Sequence, residues 1–562
     1  MVSNAGVAAA LGEIADLLDL LGERFKPEAY RRAARSVEAL PESLEAIAGR
    51  DELRSIPGVG EAIAEKVGEL LRTGSLGYLE RLRAEVPAGV LELMRLPGVG
   101  PKTARRFWTE LSVDGPAALA QAIAAGRLTG VKGFADKKIS QLRAATAGTI
   151  PPSASRTPIE QALPLARSIV RALRAVPSVH EVAYAGSLRR ARETVGDLDI
   201  LATADRPESV FDAFSRLPEV REVRLRGSTK ETVVLRQGLQ VDLRVVEPAA
   251  FGAALQYFTG SKDHNVRLRS LARERGLKVN EYGVYRGDER IAGRTEAEVY
   301  AALGLAWIPP ELREDHGEID AAAAGGVPQL VERTDVTAEL HAHLSASADP
   351  GELDRLVADA RRRAVATVAV VVATLGGTRP RWTAPPQVLA RFRERGTEGV
   401  RLLPAVEVAG GLAGVADGDL LDGGAALAIF VPGGGGLPTP DAWSTVPLRL
   451  VAHRGGSGEA AAPALELARA LGAAVEVGPG PERFDSTVGR LARDAGVPLV
   501  VPTGVGLPDD DPTSDVALGF ARRAGATRAE LLNARTVRWA DEARTPGRAP
   551  TGRSTSRGRR RR

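Results

Sequence analysis

Two aspartates separated by a single residue, Asp197 and Asp199, lie in an otherwise apolar stretch, VGDLDILATA. This alternation predicts a β-strand, on which side chains two residues apart point to the same face. Both carboxylates should therefore share one face, while Leu198 and Ile200 point into a core. Because adjacent carboxylates repel each other, the pair indicates bound cations, and Mg²⁺ or Mn²⁺ suits their oxygen ligands. The preceding segment, VAYAGSLRR, predicts a neighbouring strand.

A third carboxylate, Asp242, alternates with apolar residues in LQVDLRV. The surrounding stretch, TVVLRQGLQVDLRVVE, predicts a hairpin around residues 237–238, so Asp242 can face the first pair from an adjacent strand. Three converging carboxylates suit two divalent cations and an in-line displacement at phosphorus. An isolated Asp-x-Asp pattern usually lies exposed at the end of a strand and has no catalytic role. Here Gly186-Ser187 and Arg189-Arg190 precede it at a spacing that can cradle phosphate.

Two segments of the amino-terminal part are nearly identical: IPGVGEAIAEKVGELL begins at Ile56 and LPGVGPKTARRFWTEL at Leu96. In each, the glycines allow a tight turn that presents amide groups to an anion, and the following helix adds its positive end. A third copy, VKGFADKKISQL, has Ala135 where the second glycine would stand. The pattern resembles the helix-hairpin-helix motif, which holds DNA backbone without reading base sequence. By that resemblance, loop carbonyls in residues 56–59 and 96–99 hold a monovalent cation, and DNA is contacted by Gly58, Gly60, Gly98, Gly100 and Lys102.

With these motifs, residues 1 to about 315 resemble the family X DNA polymerases, which include DNA polymerase beta; the stretches YFTGS at Tyr257 and NEY at Asn280 strengthen the resemblance. It implies addition of deoxynucleoside triphosphates to a primer 3′-hydroxyl in gapped DNA, during base-excision or end-joining repair. It also implies that Asp197, Asp199 and Asp242 bind two catalytic metal ions. The remaining implied roles are triphosphate binding by Arg156, Gly186, Ser187, Arg190 and Gly196, sugar contact by Tyr257, Phe258 and Gly260, base contact by Asn265, and DNA contact by Arg244 and Arg269.

Upstream, RFKPEAYRRAARSVEAL resembles the opening helices of the lyase domain of DNA polymerase beta. The resemblance implies that Lys26 and Tyr30 approach the 5′-phosphate of a gapped strand, and it puts Lys66 at the position of the Schiff-base lysine. Such a lysine has to be partly deprotonated, which requires burial or nearby positive charge. Ala62 stands where a supporting lysine often occurs. Lyase chemistry and simple phosphate binding both remain open.

Beyond residue 336, apolar runs such as VATVAVVVAT alternate with helical patterns, which predicts parallel strands covered by helices and closed as an α/β barrel. The segment ELHAHLSAS resembles the first motif of the polymerase and histidinol phosphatase (PHP) barrels that bacterial relatives append. The ligand positions of that class fall at Ala348, residues 371–374 and residues 504–506, where its acids and histidines are missing. Two interpretations follow: a barrel kept for packing or DNA contact, or one residual metal site formed by His341, His343, Glu407 and His453.

These patterns predict a multidomain chain with a helical helix-hairpin-helix region (1–148), an α+β palm and thumb (149–318), a linker (319–335), the barrel (336–543) and a basic tail (544–562) that cannot form a core. The chain contains no cysteine, which excludes disulfides. It has neither a signal peptide nor a long apolar span, so we expect a monomeric cytoplasmic protein that associates with the bacterial nucleoid and not with membranes. The alternatives to a templated polymerase are a DNA-binding repair scaffold and a template-independent nucleotidyltransferase.

Overall fold

The computed structural model describes residues 4–23, 26–38, 44–56, 58–94, 96, 99–128, 139, 142–143, 146, 156–345, 350–375, 380–382, 399–409, 427–431, 448–452, 461–479 and 484–534. Its contacts divide the chain into two compact units, Met1–Thr157 and Pro158–Arg562. Within the described part of the chain, no helix is both long and apolar enough to span a bilayer.

The first unit is helical. Its core is formed by apolar faces that include Leu17 and Phe107, both fully buried. Helices α4 and α7 begin directly after Gly60 and Gly100, so the predicted glycine turns do open helices. The helices are α1 (Asn4–Leu21), α2 (Lys26–Glu38), α3 (Leu44–Gly49), α4 (Glu61–Thr73), α5 (Gly77–Glu85), α6 (Ala88–Leu93), α7 (Pro101–Leu111) and α8 (Pro116–Ala124). Most of the third glycine segment, at residues 131–142, lies outside the described residues.

The second unit begins with a five-stranded palm sheet of order β2-β4-β7-β6-β5, in which β4 and β7 are parallel and the other neighbours antiparallel. The predicted hairpin is present, and Gly238 turns it with a φ of 92° that favours glycine. The prediction of strand through VAYAGSLRR was only half right: β2 ends at Tyr184, and residues 186–189 form a helical turn. The elements are β1 (Thr157–Pro158), α9 (Ile159–Arg174), β2 (Val179–Tyr184), α10 (Gly186–Arg189), β3 (Thr194–Val195), β4 (Asp197–Ala204), α11 (Pro207–Ser215), β5 (Val220–Arg226), β6 (Lys230–Leu235) and β7 (Gln240–Val245).

A thumb follows the palm, with helices packed on a three-stranded antiparallel sheet of order β10-β9-β8. Its core holds a buried polar chain in which His264 contacts Glu318 at 2.6 Å and the Tyr300 hydroxyl at 2.9 Å. The expected linker, residues 319–335, starts within a helix whose Ile319 and Ala322 are buried in this core. The elements are α12 (Phe251–Thr259), α13 (Lys262–Glu274), β8 (Lys278–Asn280), β9 (Gly283–Arg286), β10 (Glu289–Ala292), α14 (Glu296–Ala302) and α15 (Glu318–Ala323).

The carboxy-terminal part is a parallel sheet of order β11-β12-β14-β15-β16-β17-β18, with β13 added antiparallel to β12. The fully buried side chain of Asn533 curls this sheet toward a barrel, because its amide donates to the carbonyl of Ala338 in β11 and to that of Val501 just after β18. The elements are β11 (Ala338–His343), α16 (Pro350–Arg362), β12 (Thr367–Leu375), β13 (Pro380–Trp382), β14 (Arg401–Ala409), β15 (Leu427–Val431), β16 (Leu448–Val451), α17 (Ala461–Leu471), β17 (Ala474–Glu476), α18 (Ser486–Asp494), β18 (Leu499–Val500) and α19 (Thr513–Arg523).

Helix α19 also belongs to the palm. Its Val516 and Phe520 are buried in the same apolar cluster as Leu163 and Leu188 of the palm. Arg167 of α9 and Asp515 of α19 form an ion pair of 2.6 Å beside this contact. The barrel thus completes the apolar core of the palm.

Candidate active site

The three predicted carboxylates lie on the two parallel strands at the centre of the palm sheet. Asp199 on β4 stands directly opposite Asp242 on β7, and Asp197 lies two residues earlier on β4. Leu198 and Ile200 are buried beneath them, as the alternation predicted. The strand pairing therefore brings the three acids to one face.

Electrostatic repulsion among these acids shows in the ionisation of Asp199. Burial of the carboxyl, together with the nearby charges of Asp197 and Asp242, raises its pKa to about 7, although Arg244 and Lys230 oppose the shift. Without a cation, this carboxyl is thus about half protonated at neutral pH. A divalent cation between the acids would remove the repulsion, so the donor set fits metal binding.

Lys230 belongs to this site, and the sequence analysis missed it. Its ammonium lies 2.6 Å from Oδ2 of Asp242, while the Thr232 hydroxyl donates to Oδ1 at 2.7 Å. Both residues lie on β6, the hairpin partner of β7. The pattern Lys-x-Thr could have indicated this contact. Directly paired residues of a hairpin point to the same face of the sheet, and so do residues two positions apart on one strand.

The glycine-led turn α10 approaches the acids closely. Gly186 has a φ of 65°, and a Cβ atom built on it would lie 2.6 Å from Oδ2 of Asp199. The amide of Ala185 donates to the Asp199 carbonyl at 2.8 Å, which fixes the turn against β4. Ser187 is half-buried in this turn, and Gly196 is exposed just before β4. The predicted phosphate-binding turn therefore borders the carboxylates.

The two arginines after this turn both reach the thumb. Arg189 makes a two-pronged ion pair with Glu296, at 2.7 and 2.8 Å. Nε of Arg190, a predicted triphosphate ligand, donates to Glu314 at 3.0 Å, and its Nη1 donates to the Thr259 carbonyl. Burial alone would raise the pKa of Glu296, but its contacts with Arg189 and Arg313 lower it. The net result is a pKa of about 2.

The residues predicted to contact sugar, base and DNA gather around the end of α12. The Tyr257 and Phe258 rings meet edge to face at 5.2 Å between centroids, and the Arg244 guanidinium lies 4.5 Å from the Phe258 centroid. Gly260 has a φ of 68° and precedes a cis peptide bond. A Cβ atom on it would lie 3.3 Å from Nη1 of Arg190.

Two more of these residues lie on α13. The Asn265 side chain accepts from Gln256 at 2.8 Å and donates to the Tyr257 carbonyl at 2.7 Å, and Nε of Arg269 donates to the Asn265 carbonyl at 3.2 Å. Arg156 is exposed and lies directly before β1.

In the first unit, two of the residues implied by the lyase resemblance, Lys66 and Tyr30, contact Tyr78, which the sequence alone did not indicate. The Lys66 ammonium lies 4.9 Å from the centroid of the Tyr78 ring and donates to the Ala62 carbonyl at 2.9 Å. The buried Tyr30 ring stacks on Tyr78 at 6.3 Å, and burial, with Tyr78 nearby, raises the pKa of Tyr30 to about 12. Lys26 is exposed, 3.5 Å from Glu23.

The glycine loops of this unit are described in part. Gly58 has a φ of 82°, and Gly60 and Gly100 are the residues that precede α4 and α7. The Ile56 and Leu96 carbonyls each accept a turn hydrogen bond, from Val59 and Val99. Gly98 and the side chain of Lys102 lie outside the described residues.

In the barrel, His341, His343 and Glu407 each offer a ligand atom, and these atoms lie within 4.8 Å of one another. Glu476 adds an acid that sequence analysis missed, because its Oε2 lies 2.6 Å from Nδ1 of His341. His453 and Ala348, which also entered the prediction, lie outside the described residues. At the other expected ligand positions Val372 is fully buried, and residues 504–506 form a loop after β18.

Carboxylates on parallel neighbouring strands, bordered by a glycine-led turn and followed by a helical thumb, are the arrangement expected of a nucleotidyltransferase palm. Comparison with protein families agrees with this class. Residues 254–314 match the DNA polymerase beta thumb, residues 2–76 a helix-hairpin-helix domain, and residues 90–146 a SAM-like helix-hairpin-helix tandem. These matches and the parallel sheet confirm the predicted fold class.

Individual relatives are also DNA polymerases by name. The chain is 36% identical over 338 residues to the DNA polymerase/3′-5′ exonuclease PolX of Bacillus subtilis, covering 59% of this chain and 58% of the relative. It is 28% identical over 347 residues to DNA polymerase lambda of Rattus norvegicus, covering 55% and 56%. The matched part thus spans little more than half the length of these relatives. The chain is related to the family X DNA polymerases, as its motifs predicted.

Proposed function

We propose that this protein is a DNA-directed DNA polymerase that adds deoxynucleotides to a primer 3′-hydroxyl and fills short gaps during DNA repair. The observation that carries the proposal is the pairing of Asp199 opposite Asp242 on parallel strands, with Asp197 beside them and the Gly186 turn against them. A scaffold would gain nothing from three clustered acids, one of which has its pKa raised by burial and by the charges of the other two.

In the proposed mechanism, Asp197, Asp199 and Asp242 hold two divalent ions. When bound, these ions lower the pKa of the primer hydroxyl and neutralise charge on the triphosphate. The amides of the Gly186 turn and the Arg190 guanidinium bind triphosphate oxygens, while Tyr257 and Phe258 line the sugar. Lys230, whose ammonium lies 2.6 Å from Asp242, would act as a counterion for this carboxylate.

A primer-extension assay tests this function. We expect a primer in a gapped duplex to be extended with template-matched nucleotides. Extension without template would instead support a template-independent transferase, and DNA binding without extension would support a scaffold. Either outcome would contradict the proposal.

Metal binding at this site should release protons near neutral pH. Since the pKa of Asp199 is about 7, a cation that holds this carboxyl ionised should displace about half a proton at pH 7 and very little at pH 9. Calorimetric titration with Mn²⁺, in two buffers of different ionisation enthalpy, measures this number. The variant Asp199→Asn should not release this fraction of a proton when Mn²⁺ binds. Equal proton release by both proteins would show that the proton comes from a group other than Asp199.

The amino-terminal unit should recognise a 5′-phosphate. We expect faster filling of gaps that carry a downstream 5′-phosphate, and a smaller preference in Lys26→Ala and Lys66→Ala, because each removes a positive charge. Arg72→Ala is the matched control, since Arg72 is an exposed cation on the same helix as Lys66. A wild-type enzyme indifferent to the phosphate would contradict this assignment.

Lyase chemistry is a separate question at the same lysine. Borohydride trapping on an abasic substrate should label wild type and not Lys66→Ala if Lys66 forms a Schiff base.

We expect the barrel to show little 3′→5′ exonuclease or abasic-site endonuclease activity, even with Mn²⁺. His341, His343 and Glu407 suffice for one metal ion, whereas a bridged cluster needs more acids and histidines. Digestion of 3′-labelled DNA measures this. Robust metal-dependent cleavage that disappears in His341→Ala would refute the expectation.

A further inference from the structure

Arg523, the last residue of barrel helix α19, reaches the triphosphate side of the palm. Its Nη1 donates to Oε1 of Glu314 at 2.7 Å, and the same oxygen accepts from Nε of Arg190 at 3.0 Å. All three side chains are nearly buried, with 11 to 13% of each exposed. One carboxylate is therefore shared by an arginine of the barrel and an arginine of the proposed nucleotide site.

Arg523 also holds the backbone of that site. Its Nη1 donates to the Arg190 carbonyl at 3.2 Å, and its Nε lies 3.8 Å from Glu193, which accepts a hydrogen bond from Ser486 of the barrel. One turn earlier on α19, a Cβ atom on Gly519 would lie 2.9 Å from that of Ala191. The barrel thus contacts the segment from Arg190 to Glu193 closely along its length.

The side chains of this cluster carry more positive than negative charge, and the excess positive charge can interact with the triphosphate. Burial alone would raise the pKa of Glu314, but Arg190 and Arg523 hold it at about 2, so the group stays a carboxylate. With Arg192 at 3.9 Å from Glu314 and Glu193 at 3.8 Å from Arg523, the cluster holds three arginines and two carboxylates, which leaves a net charge of +1. If Arg523 were absent, Arg190 and Arg192 would be balanced by Glu314 and Glu193, and no net positive charge would remain for a phosphate.

We propose that Arg523 is a positioning residue of the nucleotidyl-transfer site: by sharing Glu314 and binding the Arg190 carbonyl, it keeps Arg190 oriented and available for the incoming triphosphate. The inference rests on the proposed polymerase function. It assigns the barrel a role in nucleotide binding that needs no metal in the barrel itself.

The test compares Arg523→Gln with Arg522→Gln. Arg522 is the neighbouring residue on α19, and it bonds Glu311 at 2.7 Å and the Val331 carbonyl at 2.9 Å, so its partners differ from those of Arg523. Both variants lose a largely buried ion pair, so both should lower the melting temperature. Only Arg523→Gln should raise the KM for the nucleotide, by about fivefold or more, with a smaller change in kcat, as loss of ground-state binding does.

Arg523→Lys keeps the charge and one donor to Glu314, and it should restore most of the lost affinity. Equilibrium titration of dATP, without primer, should show the same order among the variants. Equal KM and equal dATP affinity in the two glutamine variants would overturn the inference. Failure of wild-type protein to extend a gapped primer would instead overturn the proposed function, and the dATP titration would still decide whether Arg523 positions Arg190.

Discussion

Replacement of Asp199 by Asn is expected to reduce nucleotide incorporation by roughly 10³-fold or more, because loss of a single charge-stabilising group alone costs about 10²–10³ in rate. Asn preserves the shape of the side chain but removes a charged ligand from the pair that faces Asp242. Single-turnover extension of a gapped primer measures the loss, and DNA binding by the variant should stay near the wild-type value. Retention of most activity would remove Asp199 from the proposed metal site.

The same substitution should stabilise the metal-free protein, which separates catalysis from folding. The pKa of Asp199 is raised in the folded state, so its contribution to stability is fully present below the unfolded pKa near 4 and is lost as the pH rises through about 7. The gain in melting temperature of Asp199→Asn in chelator should therefore grow from pH 4 to pH 8. Asp288→Asn, at an exposed turn, is the control and should show no such trend. Added Mn²⁺ should reduce the difference in melting temperature between Asp199→Asn and wild type, because it should stabilise only the wild-type protein.

Gly186→Ala should cost about 10²-fold in activity with only a modest loss of stability, and the loss of activity is again in line with the cost of one misplaced group. The new methyl group would lie 2.6 Å from Oδ2 of Asp199. Because that oxygen ends a short side chain, the fold can relieve the clash by rotating the carboxylate away, and this rotation moves a proposed metal ligand. The readouts are the extension rate and the metal concentration for half-maximal activity.

Gly238→Ala is the matched control for this variant. Gly238 also has a positive φ, but a Cβ atom on it meets nothing within 4 Å. Both variants should lose about 1 kcal/mol from backbone strain, since alanine disfavours this conformation, and only Gly186→Ala should lose activity. Equal activities would show that the turn tolerates a side chain.

The sequence predicted those parts of the site that local patterns encode. Alternation placed Asp197, Asp199 and Asp242 on strands, and the repeated glycines predicted the starts of α4 and α7. The strand expected through Ser187 failed because the positive φ at Gly186 turns the chain into a helical turn. Lys230 could have been deduced from the hairpin once its register was assumed.

Other contacts could not have been predicted from local patterns, because they join residues far apart in the chain. Glu314 lies 209 positions before Arg523, and no periodicity connects the two segments. Glu476 and His341 are similarly separated, by 135 positions. Tyr78 meets Lys66 only because two helices pack. Such pairs depend on the tertiary fold, so the sequence could name the acids of the palm but not the residues that support them.

Val516 and Phe520 lie in the palm core although they belong to the barrel helix α19. If the gene were divided between palm and barrel, apolar core residues of the palm would become exposed to solvent. Neither of the two products would then replace the intact protein. Selection on this helix is then also selection on the palm, whether or not the histidines of the barrel are kept. Within one domain, the residues of the candidate metal site can therefore change independently of α19, whereas α19 should change slowly and together with the palm residues it covers.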